Sequence, residues 1–172
     1  MFAWTLPDEH GDDNFDTDAA AITAHSHSSA VFDEMVAIQR TLLSSLNLSY
    51  RILEMPTADL GGPATRKIDM EAFFPSRRAI KDDGWGEVTS TSICTDYQSR
   101  RLGVRVEKRG ASADKGKGLE FPHTVNGTAM AVPRVLAAIL ETGWDEASGS
   151  VVVPEVLRAW MGGIERIERV RT

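Results

Sequence analysis

The sequence is short of cysteine: its 172 residues hold one, Cys94. A lone cysteine closes no internal disulfide, so the fold must rest on a packed core, and a reducing compartment suits it. A basic surplus is lacking as well. Nineteen Lys and Arg face 25 Asp and Glu, a net charge of −6. That balance argues against sequence-independent binding of nucleic acid through a broad basic face, while leaving room for a local RNA contact. No apolar run approaches the ~20 residues of a membrane span, so no membrane partner is expected. The opening MFAWTLPDEH has neither the basic-then-apolar order of a secretory signal nor the Arg-rich character of a mitochondrial transit peptide, and secretion is not expected. What is present is ordinary for a soluble domain: 42% apolar and 26% charged residues, in a chain long enough for one core.

Along the chain, Phe2–Thr5 reads as the end of a strand. Residues 7–29 then carry Asp8, Glu9, Asp12, Asp13, Asp16 and Asp18, followed by His25 and His27. They read as a flexible acidic insertion, and two histidines two apart in a polar loop fix no metal geometry. Ser28 or Ser29 caps a helix running to Leu48, with Val31, Phe32, Met35, Ile38, Leu42 and Leu46 on its apolar face. Tyr50–Met55 and Arg66–Phe74 read as strands. In the second, Asp69, Glu71 and Phe73 alternate with Ile68, Met70 and Ala72. Two carboxylates on one face could do acid–base chemistry, but a structural role beside Arg66, Arg77 or Arg78 is the simpler expectation. Glu87–Ser92 is extended, Asp96–Leu102 a turn or one helical turn, Gly103–Glu107 a strand, and residues 110–118 a hairpin loop. Residues 150–161 give a short apolar segment and a small helix after Pro154, and the tail 164–172 is charged and frayed. Hairpin-length connections predict an α+β fold, an antiparallel sheet flanked by helices.

Phe121–Glu141 carries the most information. It reads as a strand to Val125, a turn at Asn126-Gly127 and a helix from Thr128 or Ala129. Val132, Val135, Leu136, Ile139 and Leu140 form the face expected to be buried, with Arg134 opposite and Pro133 in the first turn. Small residues (Gly127, Ala129, Ala131) let a ligand approach, and a guanidinium can stack on a flat ring or pair with phosphate. Periodicity alone reads the segment as a core helix with a solvated Arg. Likewise Glu87 and the nearby hydroxyls of Glu87–Ser92 could give Mg²⁺ oxygen ligands, since Mg²⁺ takes only one or two carboxylates. Residue types alone read the same segment as a solvent-facing strand.

The strings themselves go further. HTVNGTAMAVPRVLAAILE resembles motif 3 of class II aminoacyl-tRNA synthetases in the form used by seryl-tRNA synthetases. GEVTSTSICTDYQSRRL, MPTADLGGPATRKIDMEAFFP and, more weakly, GSVVVPEVLRAWMGG are similar to segments of the same family in the same order. The resemblance implies a class II catalytic fold acting on L-serine, ATP and tRNA-Ser. It implies that Glu87, Val88, Thr89 and Ser90 meet ATP, that Glu87 and Ser90 hold Mg²⁺, that Arg134 packs on the adenine, and that Asn126 and Thr128 line the serine pocket. Glu87 and Arg134 are the implied catalytic pair. The family also has an N-terminal tRNA-binding arm, motif 1 with much of a homodimer interface, and a motif 2 whose first strand bears an Arg and a Glu. None of these is found here, and MFAWTLP matches the end of motif 2. The expectation is therefore residues 1–172 as a C-terminal part of the catalytic domain, with no detectable serine activation by this chain alone. Ile93 stands where the family commonly has Asn. That departure keeps a second expectation open: a binding or regulatory protein that retains the fold without catalysis. The resemblance leaves a mitochondrial or a cytoplasmic location open.

Overall fold

The computed structural model describes residues 1–7, 27–80, 82–108 and 118–169. In chain order the elements are β1 (Phe2–Thr5), α1 (His27–Ser45), β2 (Tyr50–Glu54), β3 (Arg66–Phe73), β4 (Trp85–Thr95) and α2 (Tyr97–Leu102). Then come β5 (Val106–Glu107), β6 (Leu119–Glu120), β7 (His123–Gly127), α3 (Val132–Thr142), β8 (Trp144–Asp145), β9 (Ser150–Val152), α4 (Glu155–Arg158) and β10 (Arg166–Glu168). Five strands form one sheet in the order β1-β7-β4-β3-β2; β10-β9-β8 and β5-β6 form two smaller sheets. This is the α+β fold expected, with β7 antiparallel to both β1 and β4. The chain divides into two compact units.

The first unit comprises Met1–Val36, Glu54–Ile68 and Thr91–Gly127. Its core is Phe32, Met35, Ile93 and Val125, with Ala3, Val31, Val36 and Ile68 packed against it. Ile68, Ile93 and Val125 are β-branched residues on strands, and Val31, Phe32, Met35 and Val36 cluster on one side of α1, so the same periodicities that form the elements gather the core. Arg66 covers the Phe32 ring at 4.5 Å and pairs with Glu54 at 2.9 Å. Asn126-Gly127 is not a turn. Both residues belong to β7, opposite Ser92 and Thr91. Ladder hydrogen bonds from two neighbouring strands outweigh the local turn preference of the dipeptide. β5 and β6 pair as the expected hairpin, Val106 opposite Glu120, although only Val106 and Glu107 of the 103–107 strand are extended, because Gly103 closes α2 at φ 68°.

The second unit comprises Ala37–Leu53, Asp69–Ser90 and Thr128–Thr172. Leu43, Leu46, Leu48, Met70, Ala72, Phe74, Val88, Val135, Ala138 and Val153 are its buried apolar residues. α1 closes with Asn47 at φ 54° and a bond from Leu48 N–H to the Leu43 carbonyl, the wrapped ending that left-handed Asn or Gly permits. The buried face of α1 differs from the expected one: Gln39 and Leu43 are inside, and Ile38 is exposed. Glu71 pairs with Arg51 at 2.6 Å, not with Arg66, Arg77 or Arg78. α3 begins at Val132, three or four residues later than expected, because residues 128–131 bond to β4 as an extended loop. Only part of its apolar stripe is covered. Val135 and Ala138 are buried, whereas Val132 and Leu136 are 64% and 54% exposed and Leu140 is exposed too.

At the far end β9 pairs with β8 and β10. The tail expected to fray is therefore a strand at Arg166–Glu168. Asp145 Oδ2 accepts from Ser148 Oγ at 2.7 Å and from Arg166 Nη1 at 2.9 Å. The expected acidic insertion falls at residues 8–26 outside the described residues, as do 109–117 of the hairpin loop; His27–Ser29 are already helix, so neither Ser28 nor Ser29 is the cap.

Two outcomes follow from this packing. A Cβ on Gly143 would lie 2.7 Å from the Val152 carbonyl and 2.9 Å from that of Ile139. Backbone cannot yield cheaply, so Gly143→Ala should destabilise by ~1–3 kcal/mol in chemical denaturation. The Asp145 carboxyl is held below the usual carboxylate range by the Ser148 hydroxyl and then by Arg166. A depressed folded pKa contributes stability above the unfolded value and loses it as pH falls through the folded one. Melting followed from neutral to strongly acidic pH should show a smaller acid loss in Asp145→Asn than in the unmodified chain.

Candidate active site

In the second unit the chain after Gly127 is drawn onto β4 by hydrogen bonds. Thr128 N–H donates to the Ser90 carbonyl at 3.0 Å, and Ala131 N–H donates to the Val88 carbonyl at 2.7 Å. Carbonyls two apart point to the same strand edge, so 88 and 90 act as a pair. Pro133 then sits in the first turn of α3, where its missing N–H leaves no bond unmade. One residue on, Arg134 turns back: its Nη1 donates to the Glu87 carbonyl at 2.9 Å and lies 3.6 Å from Glu87 Oε2.

These contacts frame a cleft of about 310 Å³ lined by Glu87, Val88, Thr89, Thr128, Ala131, Pro133 and Arg134. Glu87, Pro133 and Arg134 also border a wider hollow of about 590 Å³ that Phe74, Arg77 and Trp85 help to line. The loop before Trp85 needs glycine: Gly84 has φ +91°, and a Cβ there would meet the Phe73 ring at 2.8 Å. Arg51 lies 4.9 Å over Trp85 while pairing with Glu71. Glu141, from the end of α3, accepts from Ser76 N–H at 3.0 Å and Ser76 Oγ at 2.9 Å, which ties the loop after β3 to the helix that carries Arg134.

The residues singled out from sequence are thus distributed as follows. Glu87, Val88, Thr89, Thr128 and Arg134 converge on one cleft. Ser90 is half-buried and meets the group through its carbonyl. Asn126 belongs to the first unit, on β7, where its Nδ2 donates to Cys94 Sγ at 3.4 Å. Ile93 is buried with Phe32, Met35 and Val125, so its side chain serves packing.

Gln39 was missed. It is fully buried, and its Nε2 donates to the Ser90 carbonyl at 2.9 Å and the Thr128 carbonyl at 2.8 Å. Thr89 Oγ1 donates to the same Thr128 carbonyl. A signal existed: positions 28, 32, 35, 39, 43 and 46 share one helical face, and a Gln on such a face must find partners.

Among the described residues no three His, Cys, Asp or Glu converge as a metal cage. The cleft offers one carboxylate and nearby hydroxyls instead. That donor set fits a Mg²⁺ ion that keeps water and takes substrate oxygens. The Arg134 side chain beside the carboxylate is 59% exposed, so its guanidinium can meet an anion or a flat ring.

Comparison with known proteins identifies the family of this fold. Residues 14–143 match the family model described as the tRNA synthetase class II core domain (G, H, P, S and T). The serine–tRNA ligase of Rhodopirellula baltica is 44% identical over 162 residues, 94% of this chain and 32% of that protein. The mitochondrial serine–tRNA ligase of Mus musculus is 47% identical over 135 residues, 78% of this chain and 24% of that protein. The chain therefore spans about a third or less of the length of these relatives. Among solved structures, the seryl-tRNA synthetase of Pyrococcus horikoshii complexed with ATP superposes with a TM-score of 0.76 at 30% identity, covering 99% of this chain and 31% of that one. The match to the family model across most of its length, on a fold of the expected class, shows that the chain belongs to the class II tRNA synthetase core-domain family.

Proposed function

We propose that this chain is a C-terminal part of the catalytic domain of a serine–tRNA ligase. In that reaction a serine carboxylate oxygen attacks the α-phosphorus of ATP, forming seryl-adenylate and expelling pyrophosphate. A terminal ribose hydroxyl of tRNA-Ser then takes the seryl group and AMP leaves. No covalent enzyme group is needed; the protein supplies position and charge. The observation that carries this reading is the Arg134–Glu87 arrangement at the mouth of the cleft. Support for the nucleotide comes from the Pyrococcus protein, which was solved with ATP.

Within that reading each residue has a task. Arg134 offers a flat cation to the adenine, and Glu87, Val88, Thr89 and Ser90 run along the nucleotide. Glu87 and Ser90 would hold Mg²⁺, which would offset phosphate charge. Asn126 and Thr128 contact serine. Transfer to tRNA-Ser and pairing as a homodimer are properties of the longer synthetase.

Equilibrium titration with ATP and Mg²⁺ tests the assignment. Arg134→Ala should weaken binding about tenfold, or ~1.4 kcal/mol, and Arg134→Lys should recover little, since the planar fork is lost. An unchanged affinity in Arg134→Ala, or no ATP binding by the unmodified chain, would overturn it.

A further inference from the structure

We infer that Gln39 is a positioning residue of the cleft, its buried carboxamide fixing where the Thr128 side chain stands. The inference rests on the reading of the cleft as the site for ATP and serine.

The carboxamide has two N–H donors, and the contacts use Nε2 twice: to the Ser90 carbonyl at 2.9 Å and to the Thr128 carbonyl at 2.8 Å. Each of those carbonyls has a second donor, Thr128 N–H for Ser90 and the Thr89 hydroxyl for Thr128. A carbonyl oxygen has two lone pairs, so both are filled. Four hydrogen bonds thereby close one network over α1, β4 and the 128–131 loop. The orientation of the amide is unambiguous, because only its nitrogen can face two carbonyl oxygens.

That arrangement leaves Gln39 Oε1 buried with no hydrogen-bond partner. A buried acceptor without a donor is unfavourable, and an apolar side chain of similar length would fill the space without it. Packing therefore does not account for an amide here. What the amide does is hold main chain, and it leaves the Thr128 side chain exposed at the cleft. Arg134 is held separately, by Glu87. Thr128 and Arg134 thus have separate anchors: Gln39 holds the Thr128 carbonyl, and Glu87 holds the guanidinium.

The test uses the whole chain. Gln39→Met keeps the length and removes the donors. Gln39→Glu keeps the shape, but its ionised form sets negative oxygen against two carbonyls and only its protonated form can donate. L-serine and ATP with Mg²⁺ are titrated separately, and amide exchange is followed at Thr128. Gln39→Met should weaken serine binding about tenfold with ATP affinity held within about twofold, and should speed exchange at Thr128 about tenfold. Gln39→Glu should match it at alkaline pH and regain part of the serine affinity as pH falls. Equal weakening of both ligands would reduce Gln39 to a structural residue and overturn the inference, as would unchanged exchange at Thr128. Should the unmodified chain bind neither ligand, the reading of the cleft fails, and exchange at Thr128 still decides whether Gln39 holds the loop. If Gln39→Met does not fold, Gln39→Glu at two pH values carries the comparison.

Discussion

The Val88 and Ser90 carbonyls lie on one edge of β4, and the loop before α3 supplies their donors. Thr128 and Ala131 donate their N–H groups to them, and Gln39 adds a third donor from α1. Each bond contributes only about 0.5–1.5 kcal/mol net, but leaving a buried carbonyl unpaired costs about 1–3 kcal/mol. The loop is thus held less by the strength of any bond than by the lack of an acceptable alternative. Everything that gives the cleft its shape follows from that constraint: where α3 starts, how Pro133 fits its first turn, and why Arg134 reaches back to Glu87.

The Arg134–Glu87 contact is of a different kind. Both side chains are well exposed, and exposed pairs contribute about 0–1 kcal/mol. Its value is directional. The bond to the Glu87 main chain fixes the guanidinium even where solvent weakens the carboxylate contact, and it does so without burying the cation. The same economy appears at Glu141, which uses one carboxylate to hold both Ser76 N–H and its hydroxyl.

Much of this was legible in the sequence, and the reasons are local. β1, β3 and β4 announce themselves by alternation and β-branched residues, and α1 by its 3–4 spacing. Misreadings arise where a longer-range bond outranks a local preference. Asn126-Gly127 is a good turn pair in isolation, yet its backbone groups are taken by strands distant in sequence. The apolar pattern of α1 points to a face with Ile38 and Leu42, but burial follows geometry, and Gln39 goes inside with partners no spacing rule names. The Glu71–Arg51 pair and the closing of the tail onto β9 depend on strand order, which periodicity does not encode. The motif strings brought Glu87, Thr128 and Arg134 to attention, while the hydrogen bonds show what keeps them together.

Trp85 has a consequence for observation. It borders the hollow beside Glu87 and Arg134 and lies against Phe73 at 5.4 Å and under Arg51. The other three tryptophans, Trp4, Trp144 and Trp160, are exposed and do not line the hollow. Occupation of the hollow would change the polarity and quenching around one ring among four. A change in the intrinsic fluorescence of this chain on filling the hollow is therefore expected from Trp85, which gives the hollow an optical reporter that requires no label.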